Sequence, residues 1–165
     1  MAKNKSAATR IDIKPKLRDS MIGLLNQQLA DTLDLYTQVK QAHWNVKGPD
    51  FIALHKLFDE VNGAVEEYVD LIAERAVQLG GIADGTARVV AKRSSLPEYP
   101  VKAGDGRAHV EALSAALSAF GKVVRAEIDR SNELSDADTA DLFTEVSRGI
   151  DKWLWFVEAH LQAER

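Results

Sequence analysis

Residues 51–81 read FIALHKLFDEVNGAVEEYVDLIAERAVQLGG, and the fold turns on how this stretch is read. Leu54, Leu57, Phe58, Val61, Val65, Tyr68, Ile72 and Ala76 recur at intervals of three and four, the spacing of a helix that turns one face to a core. No proline interrupts the run, and Gly80-Gly81 supplies a stop at its end. The pattern predicts a long helix from Phe51 to Leu79, about 40 Å at 1.5 Å per residue.

Upstream, Lys47-Gly48-Pro49 closes an earlier periodic segment that carries Met21, Ile22, Leu25, Leu29, Leu33, Tyr36, Val39 and Ala42. It predicts a helix over 18–46, with Asp50 placed to cap the helix that follows. Downstream, residues 80–105 hold Pro97, Pro100 and Gly104-Asp105-Gly106, and only Thr86 to Arg93 could form short helical turns. Connections this long are uncommon unless they cross the fold or carry function. A third helix runs through Val110, Leu113, Leu117, Phe120, Val124 and Ile128. Ser135 with Asp138 resembles a capping pair opening a fourth, through Leu142, Val146, Ile150, Trp153, Leu154 and Val157. Short links make each of the outer pairs an antiparallel hairpin, and the long link joins the pairs. The expected fold class is all-α: a ferritin-like four-helix bundle, residues 18–165, with one long crossover connection carrying a short helix. Residues 1–17 are expected to be a flexible basic N-terminal tail.

At 165 residues, 45% hydrophobic and 28% charged, the chain has the size and apolar content of one globular domain with a real core. The absence of cysteine excludes disulfides, thiolate zinc sites and thiol chemistry. No window approaches the roughly 18–20 apolar residues of a membrane span. The start, MAKNKSAATRIDIKPK, lacks the apolar stretch of a secretory signal. A soluble cytoplasmic protein is expected, with no membrane partner.

On a wheel turning about 100° per residue, with His55 at zero, Asp59 falls near 40°, Asp70 near 60° and Glu74 near 100°. All four share one arc, turned away from the apolar face. A polar stripe opposite a core is ordinarily a solvated face, but the spacing here argues otherwise. His55 and Glu74 stand about 28 Å apart along the axis, and Asp59 and Asp70 about 16 Å, so one chain cannot gather them at one metal. The pairs 55/74 and 59/70 are, however, both centred between residues 64 and 65. Two copies of the helix packed antiparallel about a two-fold there would bring His55 to the partner copy's glutamate and Asp59 to its aspartate, the reciprocity an isologous interface requires. Gly63 and Ala64 would let the helices approach. His43, on or beside a buried face of the first helix, is either a hydrogen-bonded core histidine or a fifth ligand. Imidazole plus carboxylate suits iron, manganese or zinc. A di-iron centre inside one bundle would want Glu-x-x-His pairs, and none occurs in this chain.

His43-Trp44-Asn45-Val46-Lys47-Gly48-Pro49-Asp50-Phe51-Ile52-Ala53-Leu54-His55, continuing to Asp59, Asp70, Ala73-Glu74-Arg75 and Gln78-Leu79-Gly80-Gly81, resembles the Dps family, DNA-binding proteins from starved cells. So does Asp138-Thr139-Ala140-Asp141 with Asp151-Lys152-Trp153-Leu154-Trp155-Phe156-Val157-Glu158. The resemblance implies a miniferritin: a hollow homododecamer built from two-fold dimers that oxidises Fe(II) with hydrogen peroxide or dioxygen and stores ferric mineral. It implies a ferroxidase centre for two iron ions, with His43, His55 and Asp59 from one chain and Asp70 and Glu74 from its partner. Trp44, beside His43, is a radical trap or an interface packing residue. Asp138, Asp141 and Glu145 are explained equally by the helix dipole or, by resemblance, as an iron-entry pore. His109 and His160 are left as structural residues.

The formal net charge of −4 would count against a nucleic-acid partner. Residues 1–18, though, hold Lys3, Lys5, Arg10, Lys14, Lys16 and Arg18 against Asp12, a net +5, which leaves −9 on the rest. A basic arm repeated over an oligomer could hold DNA phosphates without sequence preference and associate the protein with the nucleoid, or it could simply solubilise the chain.

Overall fold

The computed structural model describes residues 7–162. Five helices follow in order: α1 Pro15–Asn45, α2 Phe51–Gln78, α3 Ala87–Arg93, α4 Gly106–Glu133 and α5 Ala137–Glu158. No strand occurs among the described residues. The all-α fold class, the four long helices and the crossover with its short helix are as the sequence predicts. α1 pairs with α2 and α4 with α5; α1 also packs on α4, and α2 on α5. Periodic residues of the sequence form the core, with Leu25, Val39, Phe58, Val65, Ile72, Leu113, Phe120 and Ile150 fully buried; Phe143, which the sequence reading passed over for the half-buried Leu142, is fully buried as well. Contact between α2 and α5 is close because Gly149 leaves room for Tyr68, whose hydroxyl occupies the place a Cβ would take.

Three boundaries differ from expectation. α1 begins at Pro15 rather than at 18, since a first helical position costs proline nothing: its missing N–H would be unpaired there anyway. Lys16 and Arg18 are therefore helical, not part of a tail. Arg18 is buried, and its Nη1 donates to the Leu79 carbonyl at 3.4 Å. From Ala7 onward the segment expected to be flexible is tethered: the Ala7 amide donates to the Gly80 carbonyl at 2.6 Å, and Ile13 packs on the core. Lys3 and Lys5 lie outside the described residues. Asp50 stands at the N-cap of α2 but makes no capping bond. At α5 the cap is Asp136, not Ser135, accepting from the Thr139 amide at 3.1 Å. Ser135 instead adopts a positive φ of 59°, the left-handed turn that ends α4.

The crossover is held by polar side chains of α1. Asn26 Nδ2 donates to the Ile82 carbonyl (2.9 Å), and Asn26 Oδ1 accepts from the Asp84 amide (2.7 Å). Gln27 reaches the Arg93 carbonyl, Asp31 accepts from the Ser95 amide at 2.6 Å, and Gln38 reaches the Pro97 carbonyl. A long loop without regular structure leaves backbone groups unpaired, and this ladder of side-chain hydrogen bonds pairs several of them and ties the loop to α1.

Candidate metal centre

Near the α1–α2 corner, the last turn of α1 carries His43 and the second turn of α2 carries His55. The rings stack, with centroids 3.8 Å apart at 22°. Their Nδ1 atoms are engaged reciprocally: His43 Nδ1 donates to the His55 carbonyl at 2.8 Å, and His55 Nδ1 to the His43 carbonyl at 2.9 Å. A carbonyl can only accept, so both Nδ1 atoms carry protons, and each neutral ring keeps its lone pair on Nε2. Neither Nε2 has a hydrogen-bond partner among the described residues. Two imidazoles locked in the ligating tautomer by backbone carbonyls are the arrangement in which metal-binding histidines are ordinarily held.

Asp59, one turn beyond His55, completes the cluster. Its Oδ1 lies 3.8 Å from His43 Nδ1 and 2.7 Å from Lys40 Nζ. The hydrogen bond from Lys40, reinforced by its charge, holds the Asp59 carboxyl below its ordinary value against an opposing effect of desolvation. Lys40 is the member of this site that the periodicity argument missed. Its position one turn before His43 on α1 was the available signal.

Asp70 and Glu74 are exposed further along α2, which is one continuous helix. The chain brings His43, His55 and Asp59 together and leaves Asp70 and Glu74 apart from them. Among the described residues no group of three or more histidines and carboxylates is arranged to hold a metal within the single chain. The outward face of α2 is not uniformly polar. Ile52 and Val77 are 59% and 54% exposed, and on the wheel they fall near 60° and 40°, inside the ligand arc.

Trp44 is two-thirds exposed beside the cluster. Asp138, Asp141 and Glu145 line the solvent side of the first turns of α5, with Asp138 Oδ2 3.9 Å from Arg75 Nη2. The adjoining network also escaped sequence reasoning. Arg75 Nη2 donates to Asp136 Oδ1 at 2.7 Å and Arg75 Nε to Thr139 Oγ1 at 2.8 Å, while Thr139 Oγ1 donates to Asp136 Oδ2 at 2.6 Å. This closed circuit ties the end of α2, where Glu74 stands, to the start of α5. His109 is buried and hydrogen-bonded to Tyr99, and His160 is exposed.

Residues 22–165 match the ferritin-like domain family. The chain is 42% identical over 158 residues to a DNA protection during starvation protein of Agrobacterium fabrum, covering 96% of this chain and 98% of that one. It is 32% identical over 151 residues to a protein of the same description from Mycolicibacterium smegmatis, covering 92% and 82%. Among solved structures it superposes on Mycobacterium smegmatis Dps in its tetragonal form with a TM-score of 0.90 at 31% identity, covering 95% and 96%. On DpsC from Streptomyces coelicolor it superposes with 0.93 at 30%, covering 100% and 96%.

Proposed function

The chain belongs to the Dps family of ferritin-like proteins, and from that premise we propose that it is a ferroxidase that sequesters iron and protects DNA from oxidative damage. Its substrate is Fe(II), two ions per centre. Its oxidant is hydrogen peroxide or dioxygen, and its ferric product is stored inside a homododecamer built from two-fold dimers.

The observation that carries this reading is the locked pair of histidines, each with a free Nε2, one turn from Asp59. Asp70 and Glu74 supply the remaining carboxylates from the partner chain. Ile52 and Val77 favour the same antiparallel pairing, since they too are centred between residues 64 and 65. Each would cover the other's counterpart across a two-fold, removing two exposed apolar side chains from water.

Chemically, two Fe(II) ions give one electron each to one peroxide, which takes two protons and leaves as two waters. No hydroxyl radical forms along that route. The protein's part is to hold the ligands in place and to fix their protonation. Asp138, Asp141 and Glu145 are the proposed entry residues for Fe(II), drawn by their exposed carboxylates, and Trp44 the proposed trap for stray oxidising equivalents.

The decisive measurement is stopped-flow oxidation of Fe(II) by peroxide, with wild type set against the His43→Ala, Asp59→Ala double variant. A rate reduced at least about a hundredfold is expected from loss of ligands, and indistinguishable rates would overturn the assignment. For DNA, the basic arm narrows to Lys3, Lys5, Arg10 and Lys14, because Lys16 and Arg18 belong to α1. Deleting residues 1–14 should abolish a salt-sensitive, sequence-independent gel shift; a shift retained by the truncated assembly would refute that role. No described helix is long and apolar enough to cross a membrane, in keeping with the proposed place in the cytoplasm beside the nucleoid.

A further inference from the structure

Tyr99 lies in the crossover and His109 in the first turn of α4; they are 8% and 1% exposed. Tyr99 Oη and His109 Nδ1 are 2.5 Å apart, a short hydrogen bond in a dry setting. Proton position follows from the surroundings. The backbone carbonyl of Asn45 favours a proton on the imidazole; with Nδ1 engaged by Tyr99 and Nε2 without a hydrogen-bond partner among the described residues, we assign that proton to Nε2. With Nε2 protonated, Nδ1 of a neutral ring is an acceptor, and the phenol is the donor. Burial keeps both groups neutral: it pushes the Tyr99 phenol up to about 12 and lowers His109. Asp105 acts against the second shift and Lys47 with it.

Asn45 directly follows Trp44 and stands two residues after His43. The phenol–imidazole pair is therefore packed behind the corner that carries the metal ligands. Of the three tyrosines, only Tyr99 has an imidazole against its hydroxyl among the described residues. Buried phenols are hard to oxidise alone because the cation radical that results has no water to take its proton. A neutral imidazole already at hydrogen-bond distance removes that obstacle.

We propose that Tyr99 and His109 form a proton-coupled one-electron redox couple that intercepts oxidising equivalents arriving at the α1–α2 corner. An oxidant of the hydroxyl-radical class takes one electron from the phenol, together with one proton from solvent, and leaves as water. The phenolic proton passes to His109 Nδ1, so the products are a neutral phenoxyl radical and an imidazolium. One Fe(II) returns the electron and becomes Fe(III), while the proton moves back from Nδ1 to the phenol oxygen. The couple thus spends a one-electron oxidant on ferrous ion. The oxidant arises when a single Fe(II), rather than a pair, reduces peroxide to hydroxide and hydroxyl radical; that source and the repair rest on the proposed iron chemistry, and the redox activity of the pair does not.

The test therefore uses no iron. Azide radicals generated by pulse radiolysis on the iron-free, full-length protein oxidise exposed indoles first, and Trp44 and Trp155 are 67% and 62% exposed. In wild type the indolyl signal should decay as a tyrosyl signal grows. The same growth is expected in a Tyr36→Phe, Tyr68→Phe double variant and none in Tyr99→Phe, which keeps the ring and its packing. His109→Gln should slow the growth on the order of a hundredfold by removing the base. Tyrosyl growth that persists in Tyr99→Phe, or proceeds at the wild-type rate in His109→Gln, would overturn the proposal, as would no tyrosyl radical in wild type. Failure of the ferroxidase reading would show separately, in unchanged iron oxidation by the His43→Ala, Asp59→Ala variant.

Discussion

Arg75–Asp136 and Arg125–Asp151 are ion pairs with the same shortest N···O distance, 2.7 Å, yet replacing the aspartate by alanine should cost far more in the first pair than in the second. The first pair is buried, with side chains 10% and 3% exposed; the second is open, at 55% and 53%. Asp151→Ala exposes nothing that water cannot solvate, and its cost should stay within about 0–1 kcal/mol. Asp136→Ala leaves a buried guanidinium with Thr139 and Gln78 as its hydrogen-bond partners and only the solvent-exposed Asp138 carboxylate, 3.9 Å away, to oppose its charge. Breaking one half of a buried pair costs about 3–5 kcal/mol, and the lost cap on the Thr139 amide adds about 1 kcal/mol. At this chain length, roughly 2–4 °C per kcal/mol turns that sum into a fall in Tm of about 10–20 °C. The assay is a thermal melt followed by circular dichroism at fixed subunit concentration, because assembly shifts apparent stability. Adding Arg75→Met to Asp136→Ala should recover most of the loss, since the uncompensated charge, not the missing attraction, is the main cost. Equal Tm shifts for Asp136→Ala and Asp151→Ala, or a double variant no better than Asp136→Ala, would refute the reasoning.

Lys40→Met frees Asp59 from its only strong partner and should tighten binding of a divalent probe such as Zn(II) a few-fold, read by competition with a chelating dye; unchanged or weaker affinity would mean that Lys40 does not compete with metal. Gly149→Ala places a methyl group where the Tyr68 hydroxyl sits and should destabilise the fold by about 1–3 kcal/mol through overpacking, with Tyr68→Phe restoring part of the loss in the same denaturation experiment. His109 is held by burial below its ordinary value of 6.5, so below that pH the unfolded chain binds a proton that the folded chain refuses. Stability should therefore fall as pH drops through about 6.5, and a His109→Gln variant with an equally steep slope in a pH series of melts would show that another group is responsible.

Helix periodicity made the bundle legible because each long helix buries one stripe, and the apolar residues that mark it are the ones found at the core. The crossover was legible only as a long interruption, and its short helix only as the run from Thr86 to Arg93. What fixes it is a ladder of polar side chains on α1, and Asn26, Asp31 and Gln38 look in sequence like members of a solvated face. The start of α1 was misplaced because Pro15 reads as a break, although it serves as a first turn. At the candidate site, spacing on a single helix places His55, Asp59, Asp70 and Glu74 on one arc, which the proposed pairing uses. The stacking of His43 on His55, the grip of Lys40 on Asp59 and the circuit of Arg75, Asp136 and Thr139 all join different helices. One-dimensional periodicity carries no information about the register between helices, so these contacts were out of its reach.

A ligand set divided between two chains has an electrostatic consequence that bears on Lys40. Under the proposed pairing each centre gathers Asp59, Asp70 and Glu74, three carboxylates in a small volume, and their mutual repulsion opposes assembly before any metal arrives. Lys40, 2.7 Å from Asp59, offsets one of those charges in the metal-free state. Two ferrous ions then bring four positive charges, more than the carboxylates need, and the ammonium becomes the group in excess. Under that pairing Lys40 would let the empty dimer form and would yield when iron binds. Conversely, a chain that has not yet assembled offers Fe(II) only two imidazoles and a carboxylate already engaged. On the proposed function, iron chemistry would in this way be confined to the assembled shell, where the oxidised product has somewhere to go.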